Sequence, residues 1–256
     1  MQDYFDKIIC INLGKRPDRW EEMKKELSRV GLHSVDRYLA IDGNPMNWRY
    51  VPKEEGNINR IKPESWVGAA GCMASHINIW KMAKDNGWKN VLIIEDDCDF
   101  IEQLQTVFNQ RINEVPNDWD LLYFGGIHET RNGVYVPTKI SNHIYKAKRM
   151  ITTTCYAIKD TCYDLAINTV LADEPWFHTA VDGYLGAYVQ SQCNTYAFHP
   201  PLAWQRPSFS DIVKDHRDYS DMMKNNNRNK LYRFSNHFGK LRQFMRNQNA
   251  CNQGDQ

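Results

Sequence analysis

No stretch of the 256 residues is long and apolar enough for a membrane-spanning helix, which takes about 20 such residues. Mean hydropathy is −0.65, on the polar side. An excess of one charge is missing too. The chain has 32 Lys and Arg against 31 Asp and Glu, a net of +1, which lacks the basic bias of a dedicated nucleic-acid binder. No two of the seven cysteines have CxxC spacing, and their number is odd, which argues against a zinc site or a disulfide framework. Cys10, Cys72 and Cys155 sit among apolar or small neighbours and read as reduced core thiols. The first residues carry Asp3 and Asp6 and lack the basic and apolar regions of an export signal. The expectation is a reducing, cytoplasmic compartment, or a lumen if a leader has been removed. A glycine-rich phosphate loop ending in lysine is absent, which weighs against a P-loop enzyme.

What the chain does have is an ordinary globular composition, 42% hydrophobic and 25% charged. Short apolar runs predict strands at 7–13, 37–41, 90–94, 119–124, 151–158 and 194–198, of which 7–13, rich in β-branched residues, and 90–94 read as buried. The strand at 119–124 should stop at Gly125-Gly126. Helical spacing predicts helices over 17–30, 69–86, 101–113 and 160–171, the last capped by Asp160. A hairpin turning at Gly133 is expected over 127–148, and a long functional loop over 44–65. Strands that alternate with helices imply an α/β fold with a mainly parallel central sheet flanked by helices. Residues 1–213 read as the main domain. Residues 214–256 read as a basic helix and tail, with nine basic and four acidic residues. That segment is a solvated tail, or a surface for anions or peripheral membrane contact.

Five segments carry chemistry. The first is Val91-Leu-Ile-Ile-Glu-Asp-Asp-Cys-Asp99, where a buried strand delivers Glu95, Asp96, Asp97 and then Asp99 to its carboxyl end. Open α/β sheets bind ligands at that edge. Crowded carboxylates repel unless a cation or proton sits between them. Hard oxygen donors suit Mg²⁺ or Mn²⁺ beside substrate phosphates. The competing reading is an acidic helix start with Asp97 or Asp99 as its cap. The second is Ile11-Asn-Leu-Gly-Lys-Arg-Pro-Asp-Arg19, a strand, an arginine-bearing loop and a helix N-terminus, which suits an anion. Its alternative is a surface loop with an Asp18–arginine salt bridge. The third is Gly68 to His76, where two glycines allow close approach and Ser75 and His76 follow within the helix; a lone helical histidine is more often core than catalyst. In the fourth, Asp182 stands among apolar and small neighbours and is costly unless paired or used. In the fifth, His199 ends a strand and can supply a metal ligand, and Trp204 can stack on a sugar or simply pack.

In chain order these pieces resemble glycosyltransferase family 25. They are Ile11-Asn-Leu13 with Arg16, Asp18 and Arg19; Ala40-Ile-Asp-Gly43; Gly71-Cys-Met-Ala-Ser-His76 with Trp80; Leu92-Ile-Ile-Glu-Asp-Asp97; Trp119-Asp-Leu121; Val181-Asp182; and Pro200 with Gln205 and Ser210-Asp211. The resemblance implies a GT-A-type fold and transfer of a hexose, galactose or glucose, from a nucleotide diphosphate sugar, with UDP as the expected carrier. The acceptor is the hydroxyl of a glycan, a lipid-linked saccharide or a hydroxylysine-type residue, and the reaction is expected to invert. Ile11, Asn12, Leu13, Arg16, Arg19, Asp42, Ser75, Glu95 and Asp96 would bind the donor. Asp97, Asp99 and His199 would hold Mn²⁺ or Mg²⁺, Trp204 and Gln205 would meet the acceptor, and Asp182 would be the general base. Competing classes are another metal-dependent nucleotide enzyme, such as a nucleotidyltransferase or phosphohydrolase, and a non-catalytic sugar- or nucleotide-binding protein.

Overall fold

The computed structural model describes residues 1–43, 49–50, 63–130, 133–172, 176–177, 179–212 and 214–224. The chain opens with β1 (Lys7–Leu13), α1 (Pro17–Arg29), β2 (Asp36–Ala40) and β3 (Arg49–Tyr50). It continues with α2 (Pro63–Asp85), β4 (Asn90–Glu95), β5 (Cys98–Phe100), α3 (Leu104–Arg111) and β6 (Leu121–His128). Then come β7 (Thr138–Lys139), β8 (Ile144–Lys146), β9 (Met150–Lys159), α4 (Asp160–Leu171), β10 (Trp176–Phe177) and α5 (Val181–Tyr184). A turn of π-helix, Leu185–Val189, prolongs α5, and β11 (Thr195–Phe198), β12 (Ala203–Gln205), β13 (Ser208–Ser210), β14 (Asp215–Arg217) and α6 (Ser220–Lys224) complete it.

Eight strands form the central sheet in the order β2-β1-β4-β9-β6-β11-β8-β7. Six of them share one direction, while β9 and β8 run against it. The sheet is therefore mostly parallel, with one reversed strand at its centre. Side chains alternate across it with the period of two that a strand imposes. Val91 and Ile93 join the core beneath α2 and α4, while Leu92 and Ile94 join the core beneath α1 and α3. Cover on both faces explains why β4 reads as an unbroken apolar run.

Several boundaries differ from the sequence reading for physical reasons. β6 runs through Gly125-Gly126 to His128 instead of stopping there. The glycines mark register shifts against β9, and a Cβ on Gly125 would lie 2.2 Å from the Ala203 carbonyl oxygen. The β7–β8 hairpin turns at 140–143, not at Gly133. α4 begins at Asp160 itself, with Lys159 as its N-cap and no side-chain cap. Cys10 and Cys155 are buried free thiols, as expected, but Cys72 is only half-buried. Segment 215–224 folds back: β14 pairs with β13, and Met223 is buried against the Gln205 backbone. The 44–65 loop lies largely, and the tail from 225 entirely, outside the described residues.

Candidate functional site

The carboxyl ends of β1 and β4 open onto a cleft of about 190 Å³. Its lining includes Ile11, Leu13, Asp42, Cys72, His76 and Gln205, together with Glu95, Asp96, Asp97 and Arg19. A wider hollow of about 560 Å³ lies at the opposite edge of the sheet, lined by Asp120, Lys146 and Asn194 among others. It gathers no comparable set of convergent acids.

Asp96 and Asp97 occupy the two-residue turn between β4 and β5 and are almost fully buried. Arg19, on the first turns of α1, reaches both. Its Nη1 donates to Asp96 Oδ1 at 2.6 Å and its Nη2 to Asp97 Oδ2 at 3.0 Å. Asn12 at the end of β1 donates to Asp96 Oδ2 at 2.5 Å, and its own oxygen accepts from Arg37. The β5–β12 ribbon sets Gln205 opposite Cys98, and Gln205 Nε2 donates to Asp97 Oδ2 at 2.9 Å. Asp97 Oδ2 is thus held twice, while its buried Oδ1 has no partner. Burial, with Glu95 and Asp96 nearby and against the pull of Arg19, lifts the Asp97 carboxyl to about 6. Burial also raises Asp96, despite Arg19 and Asn12. An orphaned carboxylate oxygen within a strained acidic group fits a hard divalent cation.

Glu95 behaves differently. Burial would raise it, but His76 beside it and the Thr153 hydroxyl, which donates at 2.6 Å, bring it below the usual carboxylate range. His76 is fully buried on α2. Its Nδ1 pairs with the Tyr156 hydroxyl at 2.8 Å, and Trp80 Nε1 donates to the same hydroxyl at 3.1 Å. His76 Nε2 stands 3.5 Å from Glu95 Oε1 and makes no hydrogen bond.

The end of β2 reaches the cleft through a close crossing with α2. A Cβ on Gly71 would lie 2.4 Å from the Ile41 carbonyl oxygen and 2.7 Å from the Gly43 nitrogen. Ser75 Oγ accepts from the Ile41 N–H at 2.8 Å and donates to the Gly71 carbonyl. Ser75 is therefore fully buried and spent on backbone, not turned to a donor. It fixes the strand end that carries Asp42, and Lys15 Nζ donates to Asp42 at 3.2 Å.

Asp182 opens α5, half-buried. Its carboxylate accepts from the Thr152 N–H at 3.1 Å and from the Gly183 N–H at 2.8 Å, and burial raises its pKa in spite of both. Thr152 sits at φ 68°, unusual for a β-branched residue, so the backbone that holds Asp182 is strained.

Other expected site residues lie elsewhere. Arg16 is engaged by Asp18 at 2.7 Å and Asp211 at 2.5 Å, so the salt-bridge reading holds for it. Asp99, on β5, faces Arg206 at 3.3 Å, and His199 packs edge-on against Tyr145 with ring centroids 4.7 Å apart. Neither lines the cleft, and among the described residues Asp97, Asp99 and His199 do not converge as one ligand set. Trp204 carries Lys224 over its ring at 4.1 Å. Gln205 binds Asp97, which puts it beside the acids and not on a separate acceptor surface. Sequence reasoning passed over Thr153, and it passed over Arg206, whose Nη2 donates to the Asp96 carbonyl at 3.1 Å. The threonine run 152–154 and the arginine following Gln205 were the available signals.

Residues 5–167 match the family profile described as Glycosyltransferase family 25 (LPS biosynthesis protein). A Drosophila melanogaster "Glycosyltransferase 25 family member" is 32% identical over 130 residues, 47% of this chain and 21% of that protein. "Procollagen galactosyltransferase 1" of Danio rerio is 33% identical over 132 residues, 47% of this chain and 21% of that protein. The "Procollagen lysyl hydroxylase and glycosyltransferase" of Acanthamoeba polyphaga mimivirus is 28% identical over 171 residues, 61% of this chain and 19% of that protein. The matches thus span about a fifth of these relatives. Among solved structures, a glycosyltransferase involved in glycosylation of the PBCV-1 major capsid aligns at TM-score 0.42 and 11% identity, over 75% of this chain and 80% of that one.

Proposed function

The chain belongs to glycosyltransferase family 25, and on that premise we propose that it transfers a hexose from a nucleotide diphosphate sugar to an acceptor hydroxyl. The observation that carries the reading is the buried Asp96–Asp97 turn at the end of β4, with Asp97 Oδ1 free. The relatives named as procollagen galactosyltransferases favour galactose as the sugar and a hydroxylysine-type hydroxyl as the acceptor. A glycan or lipid-linked saccharide is the other acceptor class.

Asp97 Oδ1 is the atom that would hold Mn²⁺ or Mg²⁺. Such an ion supplies Lewis-acid neutralisation of the diphosphate that leaves. Arg19 and Gln205 keep the Asp97 carboxylate oriented by occupying its other oxygen. Ile11 and Leu13 supply apolar lining for the donor, and Asp42 and Glu95 supply acceptors for its hydroxyls. Asp182, raised by burial, takes the proton from the attacking acceptor hydroxyl.

The test is a transfer and donor-hydrolysis assay over a panel of nucleotide sugars, with Mn²⁺, Mg²⁺ or chelator. We expect one UDP-hexose to be consumed in a metal-dependent way and Asp97→Asn to abolish that. Cleavage of nucleoside triphosphates with no nucleotide sugar consumed would instead support a nucleotidyltransferase or phosphohydrolase.

A further inference from the structure

Cys72, His76 and Glu95 each offer one ligand atom to the cleft, and the three atoms lie within 4.8 Å of one another. The grouping has a local cause. Cys72 and His76 are four residues apart on α2, so their side chains share one face of the helix. That face meets the last residue of β4, where Glu95 leaves the sheet. Cys72 is half-exposed and all three residues line the cleft, so an ion has a path in.

The second observation is His76 itself. The ring is fully buried, yet Nε2 has no hydrogen-bond partner and points at Glu95. The Tyr156 hydroxyl oxygen already takes the Trp80 N–H and can take the His76 Nδ1–H as well. In that tautomer, which a bound cation would select over one with a proton between Nε2 and Glu95, the lone pair of Nε2 faces the cleft. The bond to Tyr156 is also the support that metal-binding histidines have from an outer partner on the second nitrogen.

We propose that Cys72, His76 and Glu95 form a binding site for a soft divalent cation of the zinc class, distinct from the hard-cation position at Asp97. Sulfur, imidazole and carboxylate together select Zn²⁺ over Mg²⁺ or Mn²⁺. Three protein ligands leave a fourth position open toward the cleft. Bonds of about 2.0–2.3 Å in a tetrahedron separate ligand atoms by roughly 3.3–3.8 Å, so the group closes by about an ångström on binding. The Cys72 thiol gives its proton to solvent as the Zn–S bond forms, so binding releases a proton. The lack of CxxC pairs argues against a cysteine-rich zinc site; the spacing that matters here is Cys-x₃-His on one helix, with its third ligand from a strand. The site does not depend on the transferase reading, since it rests on the donor set alone.

The experiment titrates the metal-free protein with Co²⁺ as a spectroscopic probe and with Zn²⁺ in competition. Wild type should show a thiolate-to-cobalt charge-transfer band that Zn²⁺ removes, and one proton should be released per ion. Cys72→Ala should lose the band, and His76→Gln should weaken Zn²⁺ affinity by more than the ~10–100-fold typical of losing an outer partner. Asp97→Asn should keep the band. Melting curves for each variant identify any that fail to fold, and Cys72→Ala, at a half-exposed position, carries the decision. No band in wild type, a band that survives in Cys72→Ala, or a band lost in folded Asp97→Asn overturns the assignment. Loss of transfer activity in Asp97→Asn with the band intact would bear only on the proposed function.

Discussion

The two oxygens of Asp97 have different fates: Oδ2 receives Arg19 and Gln205, and Oδ1 receives nothing. Asparagine at this position keeps the shape and can still accept through one oxygen. Asp97→Asn should therefore fold, but lose the rise in melting temperature that Mn²⁺ with a nucleoside diphosphate gives wild type. Ligands that bind only the native state stabilise it by about 2.7 kcal/mol at a hundredfold excess over Kd. An undiminished rise in the variant would remove Asp97 from the ion's ligands. His128 allows a prediction about pH. It ends β6, its Nδ1 is buried without a partner, and burial, reinforced by His199, lowers its pKa to about 3. An unfolded histidine takes a proton near 6.5 and the folded one does not. Stability attributable to His128 is thus intact above about 6.5 and is lost as pH falls from there toward 3. The slope is at most about 1.4 kcal/mol per pH unit. His128→Leu should flatten acid destabilisation between pH 6.5 and 5 in urea titrations; an unchanged slope would show that other groups dominate it.

At the scale of elements, the crossing of β2 and α2 is the tightest contact around the cleft. Gly43 and Gly71 face each other there, and a methyl group on Gly71 would sit 2.4 Å from a backbone oxygen that cannot move alone. Gly71→Ala should cost roughly 1–3 kcal/mol, the range for overpacking, and should disturb Asp42. Gly14→Ala, where a Cβ meets nothing within 4 Å, is the control and should be close to neutral. Equal urea midpoints for the two variants would contradict the close crossing. What was legible in the chain follows the same logic. β1, β4 and α2 announce themselves through local periodicity because their burial pattern is written in consecutive residues. β5 and β12 are three residues each and exist only because they pair with one another across the chain, so no local pattern marks them. Gly125-Gly126 reads as a stop, yet β6 continues through it: Gly125 admits the β12 backbone at Ala203, and Gly126 packs against Met150 and Ile151 of β9. The acid cluster was legible as a run on a strand. Its arginine was legible only as a member of an anion-binding loop: Arg19 and Asp96 are 77 positions apart, and the sheet order that joins them is not local information.

Across the whole molecule, the sheet divides the work between two groups of strands. β1, β2 and β4, parallel neighbours, bring Ile11, Asp42 and the acids to one end of the cleft. The reversed β9 then delivers its first residues to that same edge, because its amino end lies where the carboxyl ends of β4 and β6 lie. This is why Thr153 can reach Glu95 and the Thr152 N–H can reach Asp182. A strand of the common direction at this place would have sent those threonines to the far edge. β9 therefore couples the acid turn to α5, and among the described residues Asp182 is held by two backbone N–H groups and paired with no cation. A carboxylate raised by burial is a stronger base than a solvated one, which suits a proton acceptor. Asp182→Asn removes basicity and retains the side-chain shape, but the two N–H groups bond to different oxygens, so it keeps an acceptor for only one of them. We expect donor and Mn²⁺ affinity to stay within a few-fold of wild type and kcat to fall by ~10²–10⁴, the range for loss of a general base. Single-turnover kinetics with saturating donor separate the two quantities. Wild-type turnover in the variant would move the proton-accepting role to another group on this edge. A folded variant with weakened donor affinity and unchanged kcat would show that β9 and α5 shape the donor site instead of serving the acceptor.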